Sequence, residues 1–369
     1  MNAWNELADS MLAADGPAAL VCRQWLMPAE GRDAVIFPPT FAAPEGGKAG
    51  YNIDEIHDRN DPNRVIRVAI IDTVGSQANR MEPLFKRENG RDTDYSRLVP
   101  QIEIRAGNKT VNLLDAGHRA ADAIVRFSTL GPKLQQAFDA YQETGDASEL
   151  AKIAPTSIVF GAWDSRGTQA KLPRLVASTI RAYDVDELSR SAQYNPPIDY
   201  IGLELIEAAD SKSLLDAASE LGFRHAPAAG THGGIIVHGE IRREAILSLV
   251  GLRALGPQGP NGDPLRRYIL GLALVAMIHN REHNLRQGCL LVADPEKETV
   301  WELVAHDGSR TPFNPDSNAA LAFAREAAER FVVGEDATVD FDVKEANKAL
   351  QEKVQQKTNS GRGRSKRGG

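Results

Sequence analysis

The distribution of apolar and polar residues predicts a chain of mixed strands and helices. Apolar runs bounded by glycine, proline or aspartate are typical of β-strands, and they cover residues 19–27, 64–74, 156–164, 199–207, 233–241 and 288–294. Between these runs, apolar residues recur every three or four positions, as on one face of a helix. This second pattern predicts helices over residues 116–127, 211–221, 241–255, 264–283 and 317–335.

The order of these elements favours an α+β fold. Strands and helices alternate irregularly, with long insertions rich in glycine and proline, whereas a doubly wound parallel sheet needs regular alternation. We expect one domain over residues 1–343 and find no internal repeat. The composition of residues 344–369 predicts a helix that frays into a disordered basic tail of glycine and arginine.

The composition is that of a globular protein. The chain has 369 residues, 42% of them hydrophobic, which is enough to bury a large core. Its longest apolar run, Tyr268–Ile278, is too short to cross a bilayer. We therefore expect a soluble, cytoplasmic protein. Cys22 and Cys289 stand far apart in apolar surroundings, which favours buried thiols over a disulfide or half of a zinc site.

The net charge of -7 argues at first against a nucleic-acid partner. The charges are unevenly distributed, however. Residues 166–181 contain four cations and no acid, and the last eight residues contain four more cations. Because the local potential decides where a polyanion binds, a nucleic-acid partner stays open.

The segment "FGAWDSRGTQAKLPR", residues 160–174, has a composition that suits a sugar-phosphate backbone. The hydroxyls of Ser165 and Thr168 can donate to phosphate or ribose oxygens, and glycine allows close approach. The cations here are Arg166, Lys171 and Arg174. We expect Trp163 to anchor the strand in the core. The alternative is a surface hairpin whose cations are only solvated.

A second polar segment, "DTVGSQANRMEPLF", covers residues 72–85. It predicts a strand that passes into a helix with Ser76 at the cap, and free amides at a helix start can bind an anion. The side chains around this start are Ser76, Gln77, Asn79 and Arg80. An ordinary capped helix explains the pattern equally well.

The third segment, "LLDAGHRAADAIVRFS", covers residues 113–128. The polar face of its predicted helix carries His118, Arg119, Asp122 and Arg126. Side chains four positions apart on a helix can pair their charges, so a salt-bridged surface accounts for this face. A metal site would instead use Asp115, His118 and Asp122 as ligands.

The segment "HNREH", residues 279–283, matches the H-x-x-E-H pattern of a zinc peptidase helix. His279 and His283 would be the ligands and Glu282 the general base. The alternative is structural: these polar residues end a largely apolar helix at the point where it emerges into solvent. We find no third ligand downstream and no nucleophile-elbow motif.

Four long motifs in order resemble the backbone subunit of a type I CRISPR interference complex, subtype I-G, formerly I-U, which is a repeat-associated RAMP protein. They are "DTVGSQANRMEPLF", "LLDAGHRAADAIVRFS", "APTSIVFGAWDSRGTQAKLPRLVASTIRAYDV" and "RSAQYNPP". Later segments, among them "GGIIVHGEIRREAILSLVGLRAL" and "LRQGCLLVAD", extend the resemblance over residues 35–308.

This resemblance implies a modified RRM or ferredoxin-like palm with inserted finger and thumb elements, the thumb near residues 184–200. In that family several copies stack along one CRISPR guide RNA and present it to target DNA, together with the other Cascade subunits. The resemblance implies no catalysis and no cofactor. A subunit that accepts any guide sequence should contact phosphate and ribose rather than base edges.

The RNA-contact residues that the resemblance implies come from all three polar segments and from the candidate thumb. They are Ser76, Gln77, Asn79, Arg80, His118, Arg119, Arg126, Ser165, Arg166, Thr168, Lys171, Arg174, Arg181, Arg190 and Tyr194.

Three other functions stay open from the sequence. The first is a metal-dependent hydrolase or nuclease built on one of the two histidine clusters. The second is RNA cleavage by a loop aspartate, Asp164 or Asp184, as in related backbone subunits of another CRISPR type. The third is a structural partner that never touches RNA.

Overall fold

Antiparallel strands form the centre of the protein, whose computed structural model describes residues 3–42, 50–165, 167–206, 211–257, 259, 262–279 and 283–364. The strands are β1 (Ala19–Pro28), β2 (Asn52–His57), β3 (Val65–Asp72), β4 (Ile102–Ala106), β5 (Lys109–Asn112), β6 (Ala162–Trp163), β7 (Lys171–Leu172), β8 (Val176–Tyr183), β9 (Val185–Tyr194), β10 (Ala226–Val237), β11 (Ile241–Ser248), β12 (His283–Arg286), β13 (Cys289–Ala293), β14 (Val300–Val304), β15 (Arg310–Pro312) and β16 (Ala337–Asp340).

Helices of very different length separate these strands. They are α1 (Ala3–Leu12), α2 (Val74–Met81), α3 (Ala123–Arg126), α4 (Gly131–Thr144), α5 (Ser148–Ala151), α6 (Pro155–Phe160), α7 (Lys212–Glu220), α8 (Leu249–Arg253), α9 (Asp263–His279), α10 (Ser317–Phe331) and α11 (Val343–Arg364). The basic tail predicted after α11 lies outside the described residues from position 365 onward.

The four central strands have ferredoxin-like connectivity. Strands β13, β1, β11 and β8 lie side by side in this order, each antiparallel to its neighbours. The chain runs from β1 to β8 through helices α2 to α6, and from β11 to β13 through α9. This is the βαββαβ arrangement of a ferredoxin-like fold. The protein is therefore an α+β protein, as predicted, and its sheet has the strand order expected of the palm.

Further strands extend this sheet at both edges. The antiparallel pair β2 and β3 adds to the free edge of β8, and β12 adds beyond β13. Strands β9 and β10 leave the sheet as a two-stranded arm between β8 and β11. We call β9, β10 and the described residues between them the arm. It contains the segment 184–200 in which the thumb was predicted.

Helices cover one face of the central sheet and form the main core. Residues Leu20, Val176 and Leu247 of the sheet belong to the same apolar cluster as the buried helix α9. At Gly271 an added Cβ would lie 2.8 Å from the Cα of Ala324, so glycine allows α9 and α10 to approach closely. This packing explains why α9 is apolar on all sides.

Long elements with a clear pattern are confirmed. The strands predicted at 19–27, 64–74 and 288–294 correspond to β1, β3 and β13, and the helices predicted at 211–221 and 317–335 correspond to α7 and α10. The helix predicted at 264–283 corresponds to α9, which begins at Asp263 and ends at His279. The strand predicted at 233–241 is divided, because β10 ends at Val237 and β11 begins at Ile241.

The strand predicted over residues 156–164 is wrong. Residues Pro155–Phe160 form helix α6, and only Ala162 and Trp163 form a strand. Proline at the first helical position suits this start, and every residue of α6 is buried. A continuous apolar run fits a buried helix as well as a buried strand, so periodicity alone could not decide.

Three further elements also differ from their predictions. Residues 241–248 form the central strand β11 rather than a helix, because they pair with β1 and β8 on both sides. Residues 116–127 form a 3₁₀ turn, Arg119–Ala121, followed by α3, since Arg119 has a left-handed φ of 54°. Residues 200–206 form turns, with the Asp199 side chain accepting a hydrogen bond from the Gly202 amide.

Both cysteines are buried and free, as expected for small core residues. Burial raises the pKa of the Cys22 thiol to about 11 and that of the Cys289 thiol to about 12. Both side chains are therefore neutral thiols near pH 7, and neither is a reactive thiolate.

A cluster of buried polar side chains connects the sheet with α2 and α9. Gln77 joins two of its members, because its Nε2 donates to Asp72 Oδ2 at 2.6 Å and its Oε1 accepts from Ser178 Oγ at 2.8 Å. The Nε of Arg243 donates to the same Ser178 hydroxyl at 3.2 Å. His283 lies beside this cluster, with Nε2 3.3 Å from Gln24 Oε1. We call these side chains the buried polar cluster.

We expect His283 to make the protein less stable at acid pH. Burial and the nearby charges of Arg243 and Arg80 lower the pKa of His283 from 6.5 to about 4. Between these values the unfolded chain binds a proton that the folded chain does not, so stability falls as the pH drops from 6.5 to 4, by about 3 kcal/mol.

Chemical denaturation of the wild type and of His283→Gln across this pH range measures the effect. The variant should lose the part of the pH dependence that His283 supplies, whereas His118→Gln at an exposed site should keep it. Parallel curves for the wild type and His283→Gln would contradict the assignment.

Candidate nucleic-acid interface

Arg119 joins three polar segments of the chain, residues 72–85, 113–128 and 160–174. Its side chain is buried, and Nε donates to Glu82 Oε2 at 2.7 Å. One terminal nitrogen donates to Asn79 Oδ1 at 3.1 Å and the other to the Gly161 carbonyl at 3.4 Å. Breaking a buried ion pair of this kind costs about 3–5 kcal/mol. The guanidinium therefore fixes α2, the 113–128 segment and the start of β6 relative to one another.

The β6–β7 hairpin is shaped by two glycines. Gly161 has a left-handed φ of 79°, and an added Cβ there would lie 2.7 Å from Cγ of Arg174. At Gly167 an added Cβ would lie 2.4 Å from Asp164 Oδ2. That carboxylate accepts from the Thr168 amide at 2.7 Å and from its hydroxyl at 3.0 Å. The hairpin is thus closed around a buried aspartate.

Trp163 is exposed, so the prediction that it anchors a strand in the core is wrong. Its side chain is 60% exposed, and Lys171 Nζ lies 5.8 Å from the ring centroid. The two residues are directly opposite in the β6–β7 register, on the same face. The prediction assumed one long strand, in which alternate side chains face the core. Gly161 instead ends α6 and changes the direction of the chain, so this alternation does not determine which way Trp163 faces.

A shallow cavity with several polar side chains lies beside this indole. His118, Ala121, Asp164 and Ser165 line a shallow cavity of about 50 Å³ together with Trp163. Asn79 accepts a hydrogen bond from Arg119, which holds it in the same region. The side chain of Arg174 packs on Gly161. We call the exposed side chains of this region the Trp163 surface; they are Asn79, His118, Trp163, Ser165, Lys171 and Arg174.

Two carboxylates near the Trp163 surface are engaged by the protein itself. Asp122 caps α3 and accepts from the amides of Ile124 and His118, at 3.2 and 3.1 Å. Asp164 holds Thr168 and lies 3.8 Å from a guanidinium nitrogen of Arg126. The cations Lys171 and Arg174 form no ion pair within the described part of the chain. The surface therefore presents cations whose charge the protein does not neutralise locally.

Several predicted contact residues have structural partners instead. Gln77 and Arg119 are buried, and we expect them to position the surface rather than to touch a ligand. Arg80 pairs with Asp72 at 3.0 Å and donates to the Leu285 carbonyl at 2.9 Å. The predicted cap at Ser76 is wrong, because Thr73 Oγ1 accepts from the Ser76 amide and caps α2.

The remaining predicted residues lie elsewhere or with other partners. Arg126 stacks on Phe127, with its guanidinium carbon 4.7 Å from the ring centroid. Arg181 is on the sheet and donates to Thr179 Oγ1 at 2.8 Å. Arg190 and Tyr194 are exposed on the arm. Arg166 lies outside the described residues.

The open face of the sheet has a mixed charge. Arg23, Arg181 and Arg242 stand there with Glu244 between them, at ion-pair distances of 3.4 to 4.0 Å. The guanidinium of Arg242 covers the Tyr183 ring at 4.3 Å. RNA-binding sheets of the RRM type offer free aromatic rings for stacking. On this face Arg242 covers the Tyr183 ring, so the ring is not free for stacking, and the carboxylate of Glu244 would repel phosphate. The Trp163 surface therefore suits RNA better.

The described residues do not bring together either of the metal-ligand sets considered from the sequence. No group of three histidine, cysteine or acidic side chains could hold a metal ion in the part of the chain that the structure describes. Asp115 pairs with Lys86, and Asp122 caps α3. His279 ends α9 whereas His283 is in β12, so the two are not on one helix, and Glu282 lies outside the described residues.

The loop aspartates considered for RNA cleavage also have protein partners. Asp164 is buried within the β6–β7 hairpin. Asp184, at the start of the arm, has a left-handed φ of 58° and accepts from Arg64 at 2.7 Å. Each carboxylate has a structural role that explains its position.

Part of the chain matches the model of a known family. Residues 20–187, slightly under half of the chain, match the model of a family described as CRISPR-associated protein GSU0053. No curated protein matches the sequence at a significant level. All residues of the Trp163 surface lie within the matched part. The match supports a CRISPR-associated protein with a role in CRISPR defence.

The described helices do not include a membrane span. Among them, α9 is the most apolar long helix, and none is both long and apolar enough to cross a bilayer.

Proposed function

We propose that this protein is a non-catalytic, guide-RNA-binding backbone subunit of a type I CRISPR interference complex of subtype I-G. In this role, copies of the chain assemble in the cytoplasm along the spacer of the guide RNA, with other Cascade subunits, and present it for pairing with target DNA. The observation that carries the proposal is the Trp163 surface, an exposed indole among unneutralised cations within the part of the chain that matches a CRISPR-associated family.

The chemistry of this surface suits RNA of any sequence. Lys171 and Arg174 provide charge for phosphates, and Ser165 and Asn79 provide groups that hydrogen-bond to phosphate or ribose. Trp163 can stack on any base, because every base has a π-face. Contacts of these kinds do not read base edges, so they fit a subunit that must accept every guide.

The arm supports the proposal that copies of the chain contact one another. Leu203, Leu205, Leu214 and Leu221 are each more than half exposed between β9 and β10. Apolar side chains grouped at an exposed site mark protein interaction surfaces. A head-to-tail contact through such an arm would build an open filament, whose length the bound RNA would set.

Co-expression with a CRISPR array tests the proposal directly. We expect the protein to purify as a large particle that contains guide RNA of defined length. Size-exclusion chromatography with RNA extraction measures this. Recovery of a nucleic-acid-free monomer under the same conditions would refute the proposed function.

We expect the double variant Lys171→Ala, Arg174→Ala to weaken RNA binding and to reduce its salt dependence. Each lost phosphate contact to single-stranded RNA lowers the slope of log K against log salt by about 0.7, so the two together should lower it by about 1.4. Fluorescence anisotropy with RNA-free protein and labelled RNA of two unrelated sequences measures the slope.

The matched control removes one lysine and one arginine elsewhere. Lys109→Ala with Arg91→Ala takes away two exposed cations outside the Trp163 surface and should leave the slope unchanged. Equal slopes for the wild type and the Lys171, Arg174 variant would show that RNA binds somewhere else.

Trp163→Ala should weaken binding without changing the salt slope, because the indole carries no charge. Base stacking on an aromatic side chain contributes about 1–3 kcal/mol, which corresponds to a loss of about 5- to 150-fold in affinity. Trp163→Phe keeps a ring and should retain most of the affinity. If Trp163→Ala binds as tightly as the wild type, the indole has no stacking role.

A further inference from the structure

Arg243 is a buried cation with unused hydrogen-bond donors. It lies in the middle of β11, and its side chain, only 2% exposed, is on the side of the sheet that faces α9. Its three nitrogens donate to Ser178 Oγ at 3.2 Å, to Gln24 Oε1 at 3.5 Å and to the Met277 carbonyl at 3.5 Å. A guanidinium has five N–H groups. These bonds are long and use three of the five.

No carboxylate neutralises this charge among the described residues. Two other arginines with similarly buried side chains each have a carboxylate partner. Arg119 pairs with Glu82 at 2.7 Å, and Arg266 pairs with Asp263 at 3.2 Å. Arg243 has no ion pair in the described part of the chain, and all its acceptors are neutral. A buried charge without a partner of opposite sign is strongly unfavourable.

The ionisable groups near Arg243 do not supply the missing negative charge. Burial raises the pKa of the Cys22 thiol to about 11, so this neighbour is neutral. His283 is neutral above its lowered pKa of about 4. Asp72 is paired with Arg80 at 3.0 Å. Counted together with Arg80, the buried polar cluster therefore has one more positive than negative charge among the described residues at neutral pH.

A cavity of about 260 Å³ lies beside Arg243. Gln24, Arg243, Thr299 and Trp301 provide its polar lining, and Met277 and Ile278 of α9 provide part of the remainder. No acidic side chain lines it within the described residues. The volume is below the usual range of about 300–1,000 Å³ for drug-sized ligands but far above that of one water molecule.

We propose that this cavity binds one small oxyanion of the size of phosphate or sulfate, held by Arg243. The two unused N–H groups can donate side by side to two oxygens of the anion, the geometry in which arginine recognises oxyanions. The cavity is too small to enclose a whole nucleotide. The ligand that we propose is therefore a free inorganic anion.

The site connects elements that are far apart in the sequence. Gln24 belongs to β1, Arg243 to β11, Met277 to α9 and Trp301 to β14. A bound anion would therefore stabilise the packing of α9 on the central strands. This proposal does not depend on the proposed RNA-binding function, because its residues are not part of the Trp163 surface.

Calorimetric titration of the RNA-free full-length protein with inorganic phosphate, at constant ionic strength, tests the site. We expect one saturable site per chain and a melting temperature that rises with phosphate to a plateau. Arg243→Gln should lower the affinity at least tenfold. Arg242→Gln, on the next residue and the opposite face of the same strand, should retain it. No saturable binding, or equal binding by Arg243→Gln, would overturn the proposal.

If Arg243→Gln does not fold, a crystallographic experiment on the wild-type protein tests the site instead. Crystals of the wild-type protein soaked in selenate should show one anomalous selenium peak in the cavity beside Arg243. A cavity without a peak, with selenium only at surface sites, would equally overturn the proposal.

Discussion

The Arg119–Glu82 ion pair is the interaction on which the candidate interface depends. Arg119 is held in a left-handed turn, and its guanidinium reaches Glu82, Asn79 and the Gly161 carbonyl at once. Burial raises the pKa of the Glu82 carboxyl, and the charge of Arg119 opposes this effect. One buried cation thus organises an exposed surface that it does not itself form.

The placement of acidic groups explains how a chain of net negative charge can present a cationic surface. Near Trp163 the carboxylates cap α3, close the β6–β7 hairpin or pair with buried arginine. Their charge is used within the protein, whereas Lys171 and Arg174 extend into solvent. On the open sheet face the opposite holds, because Glu244 stands between three arginines. The distribution of ion pairs, not the net charge, distinguishes the two faces.

The sequence predicted the long elements well and the short ones poorly. Strands β1, β3 and β13 and helices α7, α9 and α10 follow their hydrophobic patterns, since each pattern extends over most of the element. Helix α6 and strand β11 were assigned to the wrong class. Every residue of α6 is buried, so its apolar run carries no clear period. Strand β11 is buried on one face only, and its pairing with β1 and β8 decides its class. For the candidate interface, the sequence identified the right segments but not which side chains face solvent.

What the sequence determined by itself is the α+β class, the buried thiols and the concentration of cations and hydroxyls between residues 160 and 181. These properties follow from composition and from patterns that extend over one element. The tertiary structure alone decided that Trp163 is exposed, that Gln77 and Arg119 are buried, and that Arg243 has no acidic partner among the described residues. Each of these depends on contacts between residues far apart in the chain, such as Arg119 with Glu82 and Arg243 with Gln24. A local pattern shows which residues avoid water, but only the folded chain determines what covers them.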